Sequence, residues 1–187
     1  LDEIRKYQWA VFTSPTGAEI FFEELKKHRT DIRSLFGLKI AAIGEGTRKI
    51  LEDKGFLVDL IPEIYDGDCL GKALAEQLKE GERVLLPRAL KGNENLVRQM
   101  EEVGGIVDDI PTYETVYETS RLIDIKKEIE EHHIDCVVFT SASTVKGFAE
   151  SVEGADCKGL TAACIGKQTK AAADAFGMET YMAKKAT

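Results

Sequence analysis

The chain has 187 residues, 43% of them hydrophobic and 31% charged, with a formal net charge of −8. That length and balance suit one large or two small globular domains, soluble and cytoplasmic, able to bury a real core. No run approaches the ~18 apolar residues of a membrane span, no leader peptide is visible, and the dispersed basic residues argue against nucleic acid as a partner.

The opening LDEIRKYQW reads as the end of an exposed helix, which suggests chain before residue 1. Short apolar runs then alternate with amphipathic stretches, the pattern of βαβ units and a parallel sheet. Strands are predicted at about 9–14 (WAVFTS), 38–43 (LKIAAI), 57–61 (LVDLI), 83–87 (RVLLP) and 106–112 (IVDDIPT). Helices are predicted between them at about 17–28, 46–54, 69–79 and 93–103. Gly55, Gly81 and the pair Gly104-Gly105 fall where a left-handed C-cap is wanted. These elements make a five-strand doubly wound sheet within roughly 110 residues. The Tyr- and Thr-rich YETVYETS that follows should be extended, and a charged helix is expected at about 122–132.

The pattern then begins again. WAVFTSPTG at 9–17 returns as CVVFTSAST at 136–144, and AAIGEGTRKILEDKGFLVDLIPE at 41–63 returns as AACIGKQTKAAADAFGMETYMAK at 162–184. The spacing from Thr47 to Gly55 equals that from Thr169 to Gly177. Two motifs in the same order and register imply two α/β domains of one design, each a doubly wound, flavodoxin-like parallel sheet. Residues 1–114 form the complete first domain, 115–134 a connector with the charged helix, and 135–187 an incomplete second domain. Its three predicted strands, at about 135–140, 161–165 and 178–182, are a marginal core. Chain before residue 1 or after residue 187 is expected to complete it.

The four cysteines show no CxxC pairing; Cys136 and Cys164 lie in apolar runs and read as reduced, buried thiols. His28, His132 and His133 have no ligand-spaced partners, so no metal site is expected.

Candidate chemistry lies in four strand-to-helix turns: Thr13-Ser14-Pro15-Thr16-Gly17, Gly44-Glu45-Gly46-Thr47, Thr140-Ser141-Ala142-Ser143-Thr144 and Gly166-Lys167-Gln168-Thr169. In a doubly wound fold such turns sit at the carboxyl ends of strands, where ligands bind. Free N–H groups at a helix start carry partial positive charge, and a hydroxyl adds a donor beside them. The same Ser and Thr residues also serve as ordinary N-caps. Their repetition in both halves is what favours carboxylate binding. Arg88, after a strand, could clamp a carboxylate bidentately or be a solvated loop residue. Tyr113, closing the last strand of the first half, could donate a proton to a leaving hydroxyl or pack between domains. There is no GxGxxG turn, no Walker lysine and no GxSxG elbow.

In order along the chain, an FTSxxG-type strand end, AAIGxxT, VLLPR, YET, FTSASTV and a second IGxxT resemble the uroporphyrinogen-III synthase family. The resemblance covers nearly the whole sequence. It implies two α/β domains joined by a two-stranded connector, with the active site in the cleft between them. It implies hydroxymethylbilane as substrate, cyclodehydration to uroporphyrinogen III with ring D inverted through a spiro intermediate, and no metal or organic cofactor. Carried over by position, Tyr113, Thr47 and Thr169 would be catalytic, with Thr13, Ser14, Gly44, Arg88, Thr140, Ser141, Ser143 and Gly166 binding substrate. The protein would be a monomer serving tetrapyrrole synthesis (haem, sirohaem or cobalamin). Some members are fused to a uroporphyrinogen methyltransferase. The alternatives are a non-catalytic tetrapyrrole- or anion-binding sensor of the same fold, and a two-domain binding protein of the periplasmic type.

Overall fold

The central strand, β1 (Trp9–Phe12), alternates between two cores. Ala10 and Phe12 face one and Trp9 and Val11 the other, so every residue of the strand is buried. A strand buried on both faces reads as a continuous apolar run and requires helices above and below. The computed structural model, which describes residues 3–116, 124–152 and 157–184, supplies them. The chain divides into two compact units, Leu1–Thr115 and Val116–Thr187.

In the first unit a short 3-10 turn (Ile4–Lys6) leads into β1, α1 (Pro15–Lys27), a second 3-10 turn (Ile32–Leu35), β2 (Lys39–Ala42) and α2 (Glu45–Asp53). Then come α3 (Gly67–Ala75), β3 (Arg83–Ala89), α4 (Glu94–Glu102) and β4 (Ile106–Tyr113). The sheet is parallel throughout, in the order β2-β1-β3-β4. One face is sealed by Phe21, Phe22 and Leu25 of α1 and Leu51 of α2. The other is sealed by Leu70 and Leu74 of α3 and Leu96 and Met100 of α4. Each such fully buried side chain contributes about 1.5–3 kcal/mol of transfer free energy. Pro111 is tolerated in β4 because that strand is an edge.

The predicted strand at 57–61 is reduced to a single bridge, Ala41 to Leu60, outside β2. The Asp59 carboxylate takes the Ile40 N–H at 2.7 Å, so a side chain replaces a ladder bond. Pro62 then prevents continuation. The regular sheet therefore has four strands and not five. α1 starts two residues earlier than predicted because Pro15 occupies N1, where its missing N–H costs nothing.

In the second unit the elements are α5 (Ile125–Glu130), β5 (Cys136–Phe139), α6 (Ala142–Ser151), β6 (Thr161–Cys164), α7 (Lys167–Asp174) and β7 (Glu179–Met182). The three strands are parallel, in the order β5-β6-β7. Ile129, Val145 and Ala173 of the three helices pack with Phe139, Ala162 and Cys164 in one cluster on one face. Val138, Ala163 and Tyr181 stand in register on the other, with Val138 73% and Tyr181 57% exposed. Among the described residues this sheet is covered on one face only, which corrects the doubly wound expectation for the second half. Cys136 is exposed rather than buried for the same reason, whereas Cys157 and Cys164 are buried. Gly55 and Gly177, which follow α2 and α7, both adopt positive φ (87° and 75°), the left-handed turn expected of them. Half of the extended segment expected at 113–120 lies outside the described residues, as does the start of the predicted 122–132 helix.

Candidate active site

The carboxyl end of the first sheet gathers most of the predicted site residues of that unit. Thr13 and Ser14 leave β1. Ser14 is the N-cap of α1, its Oγ accepting from the Gly17 N–H at 2.9 Å. The same Oγ lies 2.6 Å from the phenolic oxygen of Tyr113, and either hydroxyl can donate. Tyr113 comes from the far edge strand, across the end of β3. A bulge permits this: Arg88 pairs with Pro111 but Ala89 pairs with Tyr113, so Thr112 is an extra residue in β4. Such a bulge flips the side chains beyond it and re-aims them. Leu90 N–H donates to the Tyr113 carbonyl at 2.8 Å and fixes the strand end. Gly17 gives the pair room, since a Cβ there would lie 3.2 Å from both Pro87 O and Ser14 Oγ.

Beside Ser14, α2 opens at Gly44, which offers no side-chain cap. Among the described residues no side chain accepts from its first-turn N–H groups, which carry the positive end of the helix. Gly46 approaches Pro15, so the α1 and α2 turns adjoin. Thr47, expected to present its hydroxyl, is only 1% exposed and sits beneath the turn. That is a correction: as the third helical residue it points back into the core, not out of it.

Arg88 is likewise corrected. It is 6% exposed, and its guanidinium forks onto Asp109, Nε to Oδ1 at 2.8 Å and Nη2 to Oδ2 at 2.6 Å, with Nη1 donating to the Asn93 carbonyl at 2.7 Å. Each of its three nitrogens thus donates within the fold. Gly92 makes space for it, because a Cβ there would meet Nη1 at 2.5 Å. Asn93 caps α4 through Asn95 N–H and donates to Asp68, so the loop after β3 is latched to the start of α3. Asp68, accepting from Asn95 and Asn93, is held below the usual carboxylate range by these two bonds. Asp109 and Asn93 were missed in the sequence because their partner lies on a different element.

In the second unit Thr140 is exposed and Ser141 caps α6. Ser141 Oγ accepts from Thr144 N–H at 3.2 Å and lies 2.8 Å from Ser143 Oγ. Gly166 opens α7 with no side-chain cap and with open space around it, and Thr169 is buried at 4% exposure beneath that turn. Thus each unit has one serine-capped and one glycine-opened helix start.

A separate groove of about 650 Å³ runs between α1 and the β3–β4 face, floored by Phe21, Leu85, Pro87 and Ile110. Its rim charges pair internally, Lys6 with Glu3 and His28 with Glu24. Beside it Tyr7 O–H donates to Asp108 at 2.6 Å, and Arg83 grips the same carboxylate at 2.9 Å. Among the described residues no cluster of His, Cys, Asp and Glu could hold a metal ion, and no helix is long and apolar enough to cross a membrane.

Fold and site together define a parallel-sheet α/β protein whose strand ends carry hydroxyls beside open helix starts. The comparisons narrow that class. The family model for uroporphyrinogen-III synthase HemD matches residues 1–187, and the chain belongs to that family. It is 36% identical over 186 residues to the porphyrin biosynthesis protein HemD of Ruminiclostridium josui, covering all of this chain and 37% of that protein. It is 26% identical over 183 residues to the uroporphyrinogen-III synthase of Chlorobaculum parvum, covering 95% of this chain and 73% of that one. In fold it is similar to uroporphyrinogen III synthase of Thermus thermophilus (TM-score 0.70, 16% identity, 97% of this chain and 73% of that chain). The Helicobacter pylori enzyme is similar too (TM-score 0.65, 23% identity, 97% and 78%). The chain therefore spans just over a third of the first relative's length and about three quarters of the second's.

Proposed function

We propose that this chain carries a uroporphyrinogen-III synthase activity, converting hydroxymethylbilane into uroporphyrinogen III with loss of water and inversion of ring D. The observation that carries the reading is the Ser14–Tyr113 hydroxyl pair at the carboxyl end of the first sheet, in a chain of this family.

In this reading Tyr113 donates its proton to the departing hydroxyl of the bilane, which leaves as water. Ser14 donates to the phenol oxygen and stabilises the charge that forms there. Gly17 N–H donates to Ser14 Oγ in turn, so the chain of donors ends at the positive end of α1. The azafulvene cation left behind is attacked by the substituted carbon of ring D, giving a spiro intermediate. The original bond from that carbon to the methylene bridge of ring C then breaks. The bridge cation so released is captured by the unsubstituted carbon of ring D, which inverts the ring, and the proton lost from that carbon returns to Tyr113. Without restraint the bilane ends would join without inversion. Catalysis is thus largely conformational, and many spread N–H contacts serve it better than one strong base.

The substrate's acetate and propionate arms are assigned to the turns at Thr13, Ser14 and Gly44, and to those at Thr140, Ser141, Ser143 and Gly166. Thr47 and Thr169, being buried, are given the role of holding the two glycine-opened turns in shape. Arg88 is given the role of fixing the loop that anchors Tyr113.

We read the units as copies of one design, from their matching serine-capped and glycine-opened helices and the positive-φ glycines after α2 and α7. The protein is taken as a cytoplasmic monomer. A uroporphyrinogen methyltransferase is proposed as its fusion or contact partner.

The test is isomer analysis of uroporphyrins formed from fresh hydroxymethylbilane with the purified protein. Isomer III above the spontaneous isomer I supports the synthase. Isomer I alone from folded protein overturns it and leaves the sensor reading.

A further inference from the structure

Tyr65 lies in the loop between the Leu60 bridge and α3, where nothing in the sequence drew attention to it. Asp66 N–H donates back to the Ile64 carbonyl at 2.8 Å, making a three-residue turn with Tyr65 at its apex. On one side the bridge to β2 anchors this turn. On the other, Asp66 caps α3, accepting from Cys69 N–H at 2.7 Å. The backbone is thus held on both sides of the apex, yet Tyr65 is 50% exposed.

Its ring rests on the turn that opens α2. A Cβ at Gly44 would lie 2.9 Å from Tyr65 Cγ and 3.0 Å from Cδ2. Gly44 has φ of −177°, an extended value open to any residue, so the glycine is required by the ring and not by the backbone. The equivalent Gly166 has open space where Gly44 has the ring. An exposed aromatic held over an uncapped helix start, on the rim that continues through Pro15 and Ser14 to Tyr113, offers a face for stacking beside donors for an anion.

We propose that Tyr65 is an aromatic wall of the substrate site. Its ring stacks on a pyrrole ring of the tetrapyrrole while the α2 N–H groups take a carboxylate arm of the same ring. The assignment of a tetrapyrrole rests on the function proposed above. The ring, not the phenolic hydroxyl, makes the contact, and once the bilane has lost hydroxide the same ring faces an electron-poor partner.

Two readouts test it. The first is the dissociation constant of uroporphyrin III, followed by its own fluorescence, which requires no turnover. The second is KM and isomer yield with hydroxymethylbilane. Tyr65→Leu, which keeps an apolar cover over Gly44, should weaken uroporphyrin binding by about 5- to 15-fold, and Tyr65→Phe by less than about twofold. Gly44→Ala should weaken it similarly by displacing the ring, and should add nothing further in a Tyr65→Ala background. A Tyr65→Leu protein that binds uroporphyrin III as wild type does would overturn the proposal. Tight wild-type binding with only isomer I formed would instead overturn the synthase reading and leave the stacking assignment standing.

Discussion

Ser14 Oγ and Tyr113 Oη, ninety-nine positions apart, are 2.6 Å apart across the end of the first sheet. Ser14 is at once the cap of α1 and the partner of the phenol. One side chain therefore couples helix stability to the placement of the candidate acid, and variants at the two positions should separate these effects.

Tyr113→Phe removes the proton donor and little packing. The expected outcome is a kcat lower by about 10- to 100-fold with KM and Tm nearly unchanged. Unchanged turnover in a steady-state assay would remove Tyr113 from the mechanism.

Ser14→Ala loses both roles. Loss of the cap should cost about 1 kcal/mol, or a Tm lower by roughly 2–4 °C, and loss of the phenol's partner should lower kcat by about 2- to 10-fold. Ser14→Thr should restore most of the Tm in a thermal melt, because threonine also caps.

Arg88 distinguishes a structural from a substrate-binding arginine. Arg88→Gln leaves Asp109 without its buried partner and should destabilise by about 2–4 kcal/mol in denaturant titration. KM of the protein that remains folded should change by less than about twofold. A stable variant with a strongly raised KM would return Arg88 to the list of substrate ligands.

The Tyr7–Asp108–Arg83 cluster makes the first unit sensitive to pH at both extremes. The Tyr7 hydroxyl first, and then Arg83, hold the Asp108 carboxyl below its ordinary range. Its folded value is depressed, so its contribution is full above the unfolded value of about 3.9 and is lost as pH falls through the lower folded value. Burial first, and then the Asp108 hydrogen bond and charge, push the Tyr7 phenol up. That contribution is full below about pH 10 and is lost as pH rises through the higher folded value. Melts across pH should show both losses shrink in Asp108→Asn, although that variant's Tm at neutral pH should also be lower.

The sequence by itself determined the elements that local chemistry dictates. Apolar runs such as WAVF and RVLL become buried strands because two apolar faces must be covered. Ser14 and Ser141 become N-caps because a side-chain oxygen before a helix satisfies a free N–H, and Gly55 and Gly177 follow helices because their left-handed conformation strains other residues. The order of these signals also carried the family. What only the tertiary structure decided depends on partners distant in the chain. The strand at 57–61 yielded to Asp59, whose carboxylate takes the Ile40 N–H nineteen positions away. Arg88 looked free until β4 brought Asp109 beside it. Thr47 and Thr169 looked like site hydroxyls, but whether a helix's third residue faces solvent or core is set by the neighbours packed against it. The bulge that aims Tyr113 at Ser14 is a matter of register between two strands, and the ring of Tyr65 over Gly44 is a matter of where a loop returns. Periodicity and capping are local and legible in sequence; register, ion-pair partners and close approach are properties of the packed chain alone.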